Sequence, residues 1–158
     1  MKKLLVCVVV LSAFVVGSVT SAWSYTYVDR FNRAVAIEGG GNGSFMSTKG
    51  NHSGIDNTFN WSSDGCSDPW FARIVIPVAI GHTVFDSQCQ QHDFGWRNFG
   101  PHGGNLSSYE STRVWTNNIF RNNMYNRCGV WWIRYAGQEA PCDFTADLFY
   151  SAVQLASW

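Results

Sequence analysis

Phe85-Asp86-Ser87-Gln88-Cys89-Gln90-Gln91-His92-Asp93-Phe94-Gly95-Trp96-Arg97-Asn98-Phe99 is the stretch whose spacing decides the fold. Phe85, Cys89, His92, Trp96 and Phe99 recur at i, i+3 and i+4, the pattern of one helical face, and predict a helix over Asp86 to Phe99. Cys89 lies one turn before His92, and Asp93 follows Cys89 at i+4. Suppose Cys89 pairs with Cys66, which the loop Ser62-Ser63-Asp64-Gly65 precedes. A disulfide holds two Cα atoms about 5.5 Å apart, so Asp64 would be pinned near the surface that carries Asp93. Two carboxylates with backbone carbonyls make an oxygen site suited to Ca²⁺, and His92 beside it would be placed to act on a water or a substrate. The pattern is not an EF-hand, whose D-x-[DN]-x-[DN]-G ladder is absent. By spacing alone, a His-Asp pair on a helix is more often a core histidine with a hydrogen-bond partner than a catalyst. His52, His82 and His102 sit in Gly-rich or irregular stretches and read as loop residues.

Two further segments carry the same helical period. Glu110 to Cys128 places Val114, Asn117, Phe120, Met124 and Cys128 on one stripe. Thr145 to Trp158 does so with Leu148, Phe149, Ala152, Leu155 and Ala156, and Asp143 or Thr145 can cap its start. Nearer the N-terminus, Tyr27 to Ile37 is helically spaced and stops before Gly39-Gly40-Gly41. Residues 38–60, rich in Gly, Ser, Asn and Thr, read as loop. Ile74 to Ile80 is apolar and β-branched but broken by Pro77, and reads as a short extended piece too weak to found a sheet. No repeat or second domain is visible. The elements point to an all-α fold.

The first residues have the form of a secretory signal peptide over residues 1–22. Lys2 and Lys3 precede an apolar run from Leu4 to Val16, and small residues lead to a cleavage position after Ala22. A spanning helix needs about 20 apolar residues, and Gly17, Ser18, Thr20 and Ser21 interrupt this one. Residues 23–158 then form one secreted, extracellular domain. Without Lys2 and Lys3 its charge is −2, which offers no polybasic footprint for nucleic acid. Cys7 leaves with the signal, and Cys66, Cys89, Cys128 and Cys142 remain. Four cysteines in a secreted chain imply two disulfides, with three connectivities open. Zinc is disfavoured because no C-x-x-C pair is present. N-x-S/T sequons begin at Asn42, Asn51, Asn60 and Asn105.

The motifs carry a resemblance. Phe59-Asn60-Trp61-Ser62-Ser63-Asp64-Gly65-Cys66-Ser67, followed by Cys89-Gln90-Gln91-His92-Asp93-Phe94-Gly95-Trp96-Arg97-Asn98-Phe99, resembles the central motif of the small secreted phospholipases A2 of bacteria and fungi. That family reads W-S-x-D-x-C, then C-x-R-H-D-F-G-Y-R-N-Y. The stripe Phe120-x-x-x-Met124-x-x-x-Cys128 also matches, and the resemblance covers roughly Phe59 to Cys142. It implies a small helical domain in which two long antiparallel helices carry the site, stapled by the pairs Cys66–Cys89 and Cys128–Cys142. It implies Ca²⁺ held by Asp64, the Gly65 carbonyl and Asp93. His92 is then the general base that activates a water against the sn-2 ester of a phospholipid, while Ca²⁺ polarises the ester carbonyl. The implied partner is a phospholipid membrane surface or micelle, met by a monomer.

The chain departs from the family at several positions. Trp96 replaces Tyr and Gln91 replaces Arg. The Cys66–Cys89 span is longer, so Pro69 to Ser87 reads as an insertion. The Asp that orients the family's histidine falls, counted back from Cys128, on Asn117. Glu110, the nearest acid along that face, is seven residues away, about 10 Å by helical rise, too far to substitute. With its oxygen on the Nδ1–H of His92, Asn117 would still select a working tautomer; with its NH₂ there, the wrong one. The alternative function is therefore a catalytically weak phospholipase-like lipid-binding protein or toxin component. Trp131-Trp132-Ile133 and Trp70-Phe71 read equally as core or as a membrane-interface patch.

Overall fold

The computed structural model describes residues 24–66, 78–100, 104–107, 109–130, 137 and 139–155, with the backbone alone for 78–83 and 139. Helix α1 spans Tyr27–Gly39, α2 Asn42–Gly50, α3 Val78–Phe99, α4 Glu110–Cys128 and α5 Glu139–Leu155, with a 3₁₀ turn at Gly54–Thr58. Among the described residues there is no strand, and no helix is long and apolar enough to cross a membrane. The signal segment, Trp70-Phe71 and Trp131-Trp132-Ile133 lie outside the described residues, as do His102 and the side chain of His82, whose backbone is helical within α3 rather than loop.

Local chemistry sets the helix starts. Thr26 and Asp29 form a reciprocal capping box ahead of α1: the Asp29 N–H donates to Thr26 Oγ1 at 3.1 Å and the Thr26 N–H to Asp29 Oδ2 at 3.0 Å. Between α1 and α2 the chain turns through Gly41 at φ 78°, a conformation that costs a side-chain-bearing residue energy. Helix α2 corrects the reading of residues 38–60 as loop. It has no apolar stripe, and its one buried residue is Phe45, whose ring meets Phe94 at 5.7 Å and Trp61 at 6.0 Å. The Asn42 amide ties its start to α3 by donating to the Ser87 carbonyl at 2.8 Å. The 3₁₀ turn is held by Arg33, which donates to both Asp56 carboxylate oxygens at 2.7 Å.

Helix α3 starts eight residues before Asp86, so Val78 to Ile80 are helical rather than extended, and the second half of the Pro69–Ser87 insertion lengthens this helix. Helix α5 likewise starts at Glu139, six residues before Thr145. Neither Asp143 nor Thr145 therefore caps it; the Thr145 hydroxyl donates back to the Pro141 carbonyl at 2.8 Å. Helix α4 has the expected limits.

Helices α3 and α4 run antiparallel. From one end to the other, Phe99 meets Trp115, Gly95 meets Thr116, His92 meets Phe120, Gln91 meets Asn123 and the Val84 carbonyl meets Arg127. Gly95 leaves no room for a side chain between the helices: a Cβ there would lie 2.5 Å from Thr116 Cγ2 and 3.0 Å from Glu38 Oε1. Helix α5 lies along α4, with Cys142 joined to Cys128, Asp147 beside Arg121 and the Val153 carbonyl beside Asn117. One apolar core forms around the two disulfides with Phe85, Phe120, Met124, Ala146 and Phe149. A second joins α1 and α2 to α3 through Ala34, Ile37, Phe45, Phe59, Phe94 and Phe99.

Candidate active site

Four connections bring the separate motifs to one place. The disulfide Cys66–Cys89, with Cα atoms 5.1 Å apart, fixes the Ser62–Gly65 loop to α3. Asn98, buried on α3, clamps the strand of chain before that loop: its Oδ1 accepts from the Asn60 N–H at 2.8 Å and its Nδ2 donates to the Asn60 carbonyl at 2.9 Å. At the loop itself, Asp93 Oδ2 accepts from the Ser63 hydroxyl at 2.5 Å and from the Asp64 N–H at 3.1 Å. Arg97, one turn beyond Asp93, donates to Asp64 Oδ1 at 2.7 Å. Gly65 turns the chain at φ 72°, again a conformation suited to glycine.

A cavity of about 360 Å³ opens over this junction. Its polar side is Asp64, Gly65, His92, Asp93 and Arg97; its apolar side is the Cys66–Cys89 disulfide, Trp96, Phe120, Phe149 and Val153. His92 is buried, its ring stacked on Phe120 with centroids 4.5 Å apart. Its Nε2 lies 2.9 Å from Asn117 Oδ1. The bond thus runs to Nε2 and not to Nδ1, the nitrogen named from sequence. Trp96 Nε1 donates to the same oxygen at 3.2 Å, and Asn117 Nδ2 donates to the Val153 carbonyl at 3.4 Å. An indole N–H only donates, so the atom it faces is the amide oxygen, and His92 Nε2 must then carry the proton that it gives to that oxygen. Nδ1 makes no hydrogen bond among the described residues and is left as the acceptor.

Electrostatics separates the two neighbours on α3. Burial pushes the His92 imidazole down to about 4, with the Asn117 hydrogen bond opposing, so the ring is neutral at pH 7. Burial pushes the Asp93 carboxyl up to about 6; the Ser63 hydroxyl opposes this and the charge of Asp64 adds to it. A half-buried carboxylate facing a second one favours a cation, and Arg97, paired with Asp64, already supplies part of that charge. Among the described residues no group of three or more His, Cys, Asp or Glu side chains is placed to hold a metal ion, so backbone carbonyls and water would complete the shell of any cation here. Such an all-oxygen, incomplete protein shell fits Ca²⁺, which accepts 6–8 oxygen ligands in flexible geometry.

His92, Asp93, Asp64 and Gly65 line one cavity with Asn117 bonded to His92, the four cysteines form Cys66–Cys89 and Cys128–Cys142, and Glu110 is engaged elsewhere, with Arg113. Sequence reasoning missed Ser63, Arg97, Asn98 and the Val153 carbonyl. The first three stand inside the quoted motifs, but nothing in their spacing says which partner each meets. The comparisons agree with the geometry. The family described as prokaryotic phospholipase A2 has a model that matches residues 42–157, from the start of α2 past the end of α5; no curated protein matches the chain. With its motif residues gathered at one cavity and its family signature running through four of five helices, the chain belongs to the prokaryotic phospholipase A2 family.

Proposed function

We propose that the protein is a secreted, calcium-dependent phospholipase A2 that hydrolyses the sn-2 ester of glycerophospholipids at a membrane or micelle surface. The observation that carries the reading is a His92 whose Nε2 is held by Asn117 while Nδ1 is left to accept, in a cavity floored by Asp93 and the Asp64–Gly65 loop. Nδ1 takes a proton from water as that water attacks the ester carbonyl, and returns it to the departing glycerol oxygen. Nε2 keeps its proton throughout, directed at Asn117 Oδ1. Phe120, Phe149 and Val153 offer an apolar wall to an acyl chain. Asp64, Asp93 and the Gly65 carbonyl would hold Ca²⁺, which when bound supplies a Lewis acid for the ester carbonyl and its developing oxyanion.

The test is release of fatty acid from vesicles labelled separately at sn-1 and sn-2. Release from sn-2 that needs Ca²⁺ and falls about 10²–10⁴-fold in His92→Ala is the expected result; full release in excess chelator would refute the cation's part. The second reading, a lipid-binding protein of this family with little turnover, rests on Asn117. A neutral amide stabilises the developing imidazolium less than a carboxylate does, since charge-assisted hydrogen bonds are roughly twice as strong. Asn117→Asp should therefore raise kcat. Vesicle binding without turnover in both forms would select the second reading.

A further inference from the structure

Asn117 differs from a carboxylate in having two unlike ends. Turned one way it offers His92 an oxygen; turned the other way, an NH₂ that would force the imidazole into the opposite tautomer. His92 itself does not decide between them, because its ring can donate or accept at Nε2. The neighbours do. Trp96 Nε1 lies 3.2 Å from Oδ1, and Nδ2 lies 3.4 Å from the Val153 carbonyl in the last turn of α5. A turned amide would set its NH₂ against the indole N–H, donor against donor, and its oxygen against a carbonyl, acceptor against acceptor. We infer that Trp96 is a positioning residue: its indole N–H locks the Asn117 amide with the oxygen toward His92, which keeps the proton on Nε2 and Nδ1 open to water. The inference rests on the reading of His92 as the base. Trp96 and Asn117 form one device, because a carboxylate at 117 has no wrong face and would need no lock.

Trp96 also packs beside His92, with ring centroids 5.5 Å apart, so the test must separate the donor from the ring. Trp96→Phe keeps an aromatic ring but removes the donor together with part of the indole's volume, a packing loss common to both Asn117 and Asn117→Asp backgrounds. The full secreted chain with both disulfides intact is studied by ¹⁵N NMR of the His92 side chain and by kcat, in the Asn117 and Asn117→Asp backgrounds. The wild type should show Nε2–H alone. Trp96→Phe should show an Nδ1–H fraction and lose about tenfold in kcat, the scale of one net hydrogen bond. In the Asn117→Asp background the same change should cost less than about threefold, the difference being the coupling energy. Trp96→Tyr, whose hydroxyl restores a donor, should recover much of the loss. An unchanged tautomer together with an equal kcat loss in both backgrounds would overturn the proposal, as would a Trp96→Tyr variant no better than Trp96→Phe. The NMR readout does not depend on turnover. A chain that fails to hydrolyse phospholipid but shifts its tautomer would sink the proposed function and uphold this device.

Discussion

At His92 and Asp93, burial moves two adjacent groups in opposite directions, and together they set the response to acid. His92, pushed down to about 4, stays neutral well below pH 6, whereas Asp93, pushed up to about 6, gains a proton there. With Asp93 as a ligand, as proposed above, proton and Ca²⁺ would compete for the same carboxylate, and binding the ion would release the proton. At limiting Ca²⁺, activity should fall as pH drops through about 6; at saturating Ca²⁺ the acid limb should move down toward the value of His92. Rate–pH profiles at two Ca²⁺ concentrations check this, and superimposable limbs would exclude the competition. Asn117→Asp should move the saturating-Ca²⁺ limb upward, because a nearby negative charge favours the imidazolium. A second buried acid lies outside the cavity. Glu38 is fully buried on α1 against Gly95, neither carboxyl oxygen has a partner among the described residues, and burial raises its pKa well above the ordinary range. An acid whose folded pKa is raised contributes stability below the unfolded value, about 4.3, and loses it as pH rises toward the folded one. Glu38→Gln should therefore gain stability over wild type between pH 4 and pH 7 in urea titrations. A difference independent of pH would mean that Glu38 ionises freely in the fold.

At the scale of the element, periodicity and close approach carry different information. Helix α4 was legible to its limits because Val114, Asn117, Phe120, Met124 and Cys128 mark one stripe. Helix α2 was invisible because Phe45 is its one buried residue; a nine-residue segment rich in Gly and Ser is helical only because Phe94 and Trp61 receive that ring and Ser87 receives Asn42. The crossing of α3 and α4 depends on a side chain that is missing. Gly95→Ala would drive a methyl into Thr116 and the Glu38 carboxyl, an overpacking that typically costs about 1–3 kcal/mol. Because His92 lies one turn away and Asn117 next to Thr116, the same shift should stretch the His92–Asn117 bond. The expected outcome is a lower urea midpoint together with a lower kcat. Unchanged stability would show that the helices part there without cost.

For the whole molecule, the two disulfides have unequal duties. Replacing either pair with serine should cost about 3 kcal/mol by releasing a loop in the unfolded chain, but Cys66–Cys89 also holds the Asp64–Gly65 loop against Asp93, whereas Cys128–Cys142 ties α4 to α5. Calorimetric Ca²⁺ titration of the two folded variants should find weaker binding in the first alone; equal affinities would detach the loop from the proposed metal site. Spacing alone determined that this chain is helical, because that follows from 3.6-residue periodicity; the family resemblance supplied the Cys66–Cys89 pairing that joins the Asp64 loop to the His92-Asp93 helix and the register that sets Asn117 beside the histidine. Tertiary structure decided the rest. Which imidazole nitrogen meets Asn117, which way the amide is turned, how far burial shifts His92 and Asp93, and that Glu38 is sealed beside Gly95 all depend on groups distant in sequence. Each is set by the dielectric and the donors that folding brings around an atom, and one-dimensional spacing contains neither.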